Sequence, residues 1–119
     1  MRVAVADVQM VVGTHFGISR RELLGHGRRR RVSVPRQIAI SLCGEYTTAS
    51  TTLIGKLFGG RDHTTVIHSC KRMERWGFEY SKDIACIRSR VLDIAAFRVA
   101  VLMCDAAWAE FEATPWPSV

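Results

Sequence analysis

Apolar residues recur at helical spacing along most of the chain, and no stretch alternates in the manner of a β-strand. The first apolar series, within residues 3–16, consists of Val5, Val8, Val12 and Phe16. Gly17 interrupts this series, because glycine favours helix ends over helix interiors. The pattern predicts an amphipathic helix at the start of the chain and an all-α fold for the whole.

Two further helices are expected around the glycine at position 25. Ser19, followed three residues later by Glu22, indicates the capped start of a short helix that ends at Gly25. We expect the run Arg28 to Arg31 to form a loop and Pro35 to lie in the first turn of the next helix. That helix carries an apolar series formed by Ile38, Leu42 and Tyr46.

Residues 50–76 have the pattern of a helix-turn-helix. Ser50 is a suitable N-cap for a two-turn helix, and Gly59-Gly60 ends it abruptly. A second helix begins near Arg61 or Asp62 and runs to about Trp76. A short helix, a tight turn with glycine and a longer helix are typical of this motif.

The second helix of the motif has two distinct faces when its residues are placed 100° apart. The predicted packing face consists of Val66, Cys70, Met73 and Gly77. The predicted exposed face consists of Thr64, His68, Lys71 and Arg75, and it has no acidic member. Such a face suits a polyanionic surface.

Short polar side chains stand at the N-terminal end of this helix, where a helix-turn-helix reads the major groove. We expect Asp62, His63, Thr64 and Thr65 to contact base edges. His68, Lys71, Arg72 and Arg75 lie where phosphate contacts are expected. Taken alone, the pattern also fits a solvated amphipathic helix with Asp62 as its N-cap.

The charge distribution strengthens the nucleic-acid interpretation. The net charge is +6, and the stretch 20–36 holds seven arginines against the single acidic residue Glu22. Net charge alone would equally suit an anionic lipid or an acidic protein. An arginine run just before a helix that leads into a helix-turn-helix favours DNA, because arginine enters narrow A·T-rich minor grooves.

Metal, cofactor and catalytic sites are not expected. Four cysteines without a CxxC pair suggest reduced core thiols of a cytoplasmic protein. His63 and His68 would point about 140° apart on a helix, which argues against zinc. No phosphate loop G-x-x-x-x-G-K-[ST] and no catalytic cluster occur, so we expect neither an enzyme nor nucleotide binding, and no membrane span.

The segment 81–112 is expected to form a long last helix. Ile84, Ile87, Val91 and Ile94 follow one another at helical spacing. This face either folds back on the domain of residues 1–80 or mediates a homodimer, and both alternatives stay open. Residues 113–119 are expected to be a frayed tail.

Residues 35–72, and above all Gly-Gly-Arg-Asp-His-Thr-Thr-Val-Ile-His at 59–68, resemble the C-terminal DNA-binding domain of the bacterial replication initiator DnaA. The resemblance covers about residues 4–76. It implies an all-helical fold similar to the Trp-repressor type and binding to the nine-base-pair initiator box, the DnaA box.

The resemblance also implies roles for individual residues. Asp62, His63, Thr64 and Thr65 match base-contacting positions, and Arg28 matches the arginine that enters the minor groove. The positions that match phosphate contacts are Arg30, Arg36, Gln37, Thr51, Thr52 and Arg72. For Thr51 and Thr52, the physical reason is that backbone amides at a helix N-terminus attract anions.

From the sequence we therefore expect a stand-alone, cytoplasmic and nucleoid-associated DnaA-box-binding protein that regulates replication initiation or transcription without ATPase activity. One alternative is a protein-interaction module that reuses the fold. The other is a transcription regulator with an unrelated target site.

Overall fold

The computed structural model describes residues 3–103, with side chains through residue 98, and within this range it contains six α-helices and no strand. The helices are α1 (Val5–Phe16), α2 (Arg20–Leu24), α3 (Arg30–Tyr46), α4 (Thr51–Leu57), α5 (His63–Glu79) and α6 (Ser81–Met103). The predicted all-α, helix-turn-helix class is confirmed.

Helix α3 is the centre of the fold and packs against α1, α2 and α5. Its residues Ile38, Ala39 and Leu42 are completely buried. They share one apolar core with Val8 and Val12 of α1. Because this core draws on helices far apart in the sequence, it holds the helix-turn-helix against the first half of the chain.

The start of α3 differs from the sequence prediction. Arg30 and Arg31 are helical, so only the first half of the arginine run is a loop, and Pro35 lies inside the helix rather than in its first turn. Val32 and Val34 are both buried in this first part of α3. Burial of an apolar face stabilises a helix more than local propensity does, which accounts for the earlier start.

Helices α4 and α5 form the helix-turn-helix, joined by a turn that requires glycine. Gly59 and Gly60 have φ angles of 81° and 75°, in the left-handed region that side chains disfavour. The amide of Arg61 donates to the carbonyl of Gly55 at 2.7 Å. A Cβ atom on Gly55 would lie 2.2 Å from the Arg61 carbonyl oxygen, so the turn approaches α4 too closely for any side chain at Gly55.

The packing face of α5 was predicted only in part. Val66 is fully buried and Met73 is half-buried, as expected, but Cys70 is exposed. Ser69 and Trp76 complete the packing face instead. Cys70 lies opposite Gly44 of α3, where an added Cβ atom would be 3.6 Å from its sulfur, so α3 has no side chain at this position to cover the thiol.

Helix α6 lies antiparallel along α1. Its residues Ile84, Ile87, Val91 and Ala95 are buried in the common core. Two side-chain contacts join the helices near both ends: an ion pair of Arg98 with Asp7 at 2.9 Å, and a hydrogen bond of His15 with Asp83 at 2.8 Å. Residues 104–112 of the predicted long helix, and the predicted tail 113–119, lie outside the described residues.

The cysteines were predicted to be core residues, and this is wrong for two of them. Cys43 is buried, whereas Cys70 and Cys86 are exposed, and all three are free thiols. Burial raises the pKa of Cys43 to about 12, so this group stays a neutral thiol. Cys104 lies outside the described residues. In the part of the chain that the structure describes, no helix is long and apolar enough to cross a membrane.

Candidate nucleic-acid interface

The N-terminal end of α5 presents a row of short polar side chains to solvent. Asp62, His63, Thr64 and Thr65 are all exposed, and we call these four residues the reading end. Val66, which follows them, is fully buried and anchors the helix. The reading end therefore projects from a fixed point of the fold.

Asp62 organises the reading end as its N-cap. Its carboxylate accepts from the amide of His63 at 2.9 Å and from the hydroxyl of Thr64 at 2.7 Å. The His63 ring nitrogen Nδ1 also lies 2.9 Å from this carboxylate. The pKa of Asp62 is lowered, chiefly by the Thr64 hydrogen bond, so the carboxylate stays ionised at neutral pH. Capping and side-chain orientation thus come from one residue.

A groove of about 330 Å³, lined mainly by polar residues, lies between α3 and α5 directly beside the reading end. The groove is lined by four predicted phosphate contacts, Arg36, Gln37, His68 and Arg72, and by Thr65 of the reading end. It thus brings together groups that the sequence places up to 36 residues apart, from Arg36 to Arg72.

Trp76, at the other end of α5, contacts two further predicted phosphate contacts, Arg30 and Arg75, and also Gln37. The guanidinium carbon atoms of Arg30 and Arg75 lie 5.1 and 5.2 Å from the centre of its ring, within the range of cation–π attraction. Its indole Nε1 donates a hydrogen bond to Oε1 of Gln37. We call these four residues the Trp76 cluster. Arg30 also forms an ion pair with Glu79.

The remaining predicted phosphate contacts lie on two helices. Lys71 is exposed on α5, and Thr51 and Thr52 are exposed at the start of α4. Ser50 caps α4, since its hydroxyl accepts from the amide of Leu53 at 3.2 Å. The amides before Leu53 have no acceptor within the helix, as in the first turn of any α-helix.

Arg28 and Arg36 have opposite surroundings although both were predicted to contact DNA. Arg28 is exposed, and it makes no ion pair with any residue in the range 3–103 that the structure describes. Arg36 is only 6% exposed, and its guanidinium donates to the carbonyls of Glu22, Leu23 and Gly27 at 2.7–2.8 Å. Three nitrogen atoms of Arg36 are thus bonded to the backbone, and the residue also lines the groove between α3 and α5.

Two residues of the interface were missed by the sequence reasoning. Trp76 was read as the end of the recognition helix, and Arg61 only as its start. Trp76 directly follows Arg75 and lies one helical turn after Arg72. An aromatic ring this close to cations on one helix indicates that an arginine can stack on it. For Arg61 no comparable signal exists, because its partners are backbone carbonyls 36 and 37 residues earlier in the chain.

Comparison with known proteins agrees with this geometry. A family model described as "Bacterial dnaA protein helix-turn-helix" matches residues 5–73. The chain is 47% identical over 73 residues to the chromosomal replication initiator protein DnaA of Rhizobium meliloti, covering 61% of this chain and 15% of that protein. It is 42% identical over 94 residues to DnaA of Geobacter metallireducens, covering 76% of this chain and 21% of that protein. The chain thus matches only about a fifth or less of the length of these relatives.

Proposed function

Because the chain belongs to the bacterial DnaA helix-turn-helix family, we propose that it binds double-stranded DNA sequence-specifically at DnaA-box-like sites. The observation that carries this proposal is the reading end: four exposed polar side chains at the start of the second helix of a helix-turn-helix. An α-helix presented in this way fits the major groove and reaches base edges with its first residues.

The positions of the cations around the reading end support separate roles for base-contacting and phosphate-contacting residues. Asp62, His63, Thr64 and Thr65 contact bases in the major groove, and Arg28 enters the adjacent minor groove. The phosphates are held by Arg30, Gln37, Thr51, Thr52, His68, Lys71, Arg72 and Arg75. Phosphate contacts set affinity and orientation, whereas base contacts set the choice of site.

In the cell, the proposed role is regulation of replication initiation or of transcription at such sites, in the cytoplasm and on the nucleoid. This role needs no nucleotide hydrolysis by these 119 residues, which contain no phosphate-loop sequence. Self-association through residues 81–112 stays a prediction. Light scattering tests it: a species of 13.4 kDa at every concentration contradicts a dimer.

A binding titration with two labelled duplexes tests the proposal. One duplex carries a DnaA box and the other the same bases in scrambled order. We expect preference for the box by at least about 10³-fold and a slope of log K against log salt near −5 for about six neutralised phosphates. Equal binding to both duplexes with such a slope would favour an unrelated target site. No binding to either would favour the protein-interaction module.

A further inference from the structure

Two arginines from different elements converge on the backbone carbonyls at the end of α2. From α3, Arg36 donates through Nε to the carbonyl of Leu23 at 2.7 Å, and through Nη2 to that of Glu22 at 2.8 Å. From the turn before α5, Arg61 donates to the carbonyl of Leu24 at 3.2 Å and to that of Gly25. Four consecutive carbonyls, at positions 22–25, thus accept from two guanidinium groups.

These carbonyls are the ones that a helix end leaves without partners. A cation near a helix C-terminus is also favoured by the helix dipole. Arg36 extends the same arrangement into the following segment, since its Nη1 donates to the carbonyl of Gly27 at 2.8 Å. Arg61 extends it into the helix-turn-helix, since its Nη1 also donates to the carbonyl of Phe58.

The two guanidinium groups are held in place despite a cost in electrostatic free energy. Burial lowers the pKa of Arg36, and the charge of the neighbouring Arg61 lowers it further. Buried like charges are tolerated only when hydrogen bonds satisfy them. Each contact described above is such a bond, so losing one arginine leaves several buried or part-buried carbonyls without their donor.

The turn of the helix-turn-helix touches the same segment independently of these arginines. A Cβ atom on Gly59 would lie 2.2 Å from the carbonyl oxygen of Leu24. The end of α2 and the turn before α5 are therefore in direct backbone contact. The basic loop, residues 25–29, begins at this contact and carries Arg28.

We propose that Arg36 and Arg61 are positioning residues that fix the basic loop against the start of α5, so that Arg28 enters the minor groove in register with the reading end in the major groove. This inference rests on the proposed DNA binding. It assigns Arg36 a role that is not a phosphate contact: without the two arginines, the exposed Arg28 keeps its charge but loses its position.

A double-mutant cycle between Arg36→Lys and Arg28→Ala tests the coupling, with affinity measured on the box and on a box whose minor-groove A·T pairs are replaced by G·C. Lysine keeps the charge of Arg36 but replaces its planar guanidinium group, which reaches three carbonyls at once, with a compact ammonium group on a flexible stem. In the wild-type background we expect Arg28→Ala to weaken binding about tenfold. In the Arg36→Lys background we expect the further loss to be less than about threefold, with the A·T preference largely gone.

Two readouts separate positioning from a general structural role. Discrimination at the major-groove bases, measured with single base changes, should remain in Arg36→Lys, because the N-cap at Asp62 is intact. Nuclear magnetic resonance of the free protein should show amide shifts in both 22–29 and 59–62. This second readout needs no DNA, so it tests the positioning even if the wild-type protein does not prefer the box, a result that would instead overturn the proposed function.

Arg21→Lys is the matched control, since Arg21 is an exposed arginine on α2, and we expect additive losses with Arg28→Ala and no amide shifts in 59–62. If Arg36→Lys fails to fold in thermal melts, Arg61→Lys repeats the cycle from the other side. Additive losses in the cycle would overturn the proposal. So would near-wild-type affinity for Arg36→Lys together with a salt slope reduced by about one in Arg36→Met, the signature of a phosphate contact.

Discussion

The side chains at the two ends of α5 are held in place by different kinds of contact. At the reading end, the side chains are oriented by the helix itself: Asp62 caps the first turn and holds Thr64. At the other end, the Trp76 cluster gathers Arg30 and Gln37 from α3 beside Arg75. Local hydrogen bonds therefore orient the side chains that we propose to contact bases, and tertiary contacts orient those that we propose to contact phosphates. Mutations should separate specificity from general affinity along this one helix.

The largest expected effect comes from the turn on which the reading end depends. Gly59→Ala places a Cβ atom 2.2 Å from the Leu24 carbonyl oxygen and forces alanine into a positive φ. We expect the free energy of unfolding to fall by about 2–3 kcal/mol. Urea titration followed by circular dichroism measures this change.

Gly60→Ala is the matched control for that turn. Its φ is also positive, but nothing lies within 4 Å of an added Cβ atom. We expect it to cost only the backbone strain, about 1–2 kcal/mol. If both substitutions cost the same, the close approach of the turn to α2 is not important for stability.

The next largest effect concerns the reading end alone. We expect Thr64→Ala or His63→Ala to weaken binding to the box by about 1–3 kcal/mol and to flatten discrimination between sites, with the salt slope unchanged. Fluorescence anisotropy on the box and on single-base variants provides the measurement. Thr64→Ser is the control, because it keeps the hydroxyl that donates to Asp62 and removes only the methyl group.

Removing the ring of the Trp76 cluster should have a smaller effect, which lowers general affinity for DNA and leaves site discrimination unchanged. Trp76→Leu releases both stacked arginines and leaves Gln37 without its indole donor, so we expect all duplexes to be bound more weakly by about 1–2 kcal/mol, with site discrimination unchanged. Trp76→Phe keeps an aromatic face for the arginines and should lose less. A change confined to the box would contradict the separation of the two ends.

The smallest expected effect is an increase in affinity. Glu79→Gln removes the carboxylate that pairs with Arg30 in the free protein, so more of the cation is available to a phosphate. We expect about twofold tighter binding to any duplex at low salt, disappearing at high salt. Glu74→Gln removes the same charge from an exposed residue of α5 and is the control. An equal gain from both substitutions would attribute the effect to net charge alone.

The parts of this structure that follow from local sequence were predictable. Helical spacing placed α1 and α4, Ser50 and Asp62 were recognised as caps, and the glycine pair located the turn. The start of α3 was missed because burial of Val32 and Val34 decides it. The exposure of Cys70 was missed because it depends on a glycine in another helix.

The candidate site divides in the same way. The residues of the reading end are neighbours in the sequence, so their pattern is visible before folding. The bond between Trp76 and Gln37 joins residues 39 positions apart, and that between Arg36 and Glu22 joins residues 14 positions apart. One sequence carries no signal for pairs that form only through packing, and for Arg36 the acceptor is a backbone group that every residue possesses.

That last property has an evolutionary consequence. Arg36 and Arg61 donate hydrogen bonds to main-chain oxygen atoms at positions 22–25 and 27, so these bonds do not depend on which side chains those positions carry. Neighbouring positions of the basic loop can therefore gain or lose arginines over generations while the loop keeps its place. Affinity for DNA becomes adjustable by substitutions in the loop, separately from the geometry that decides which bases are read.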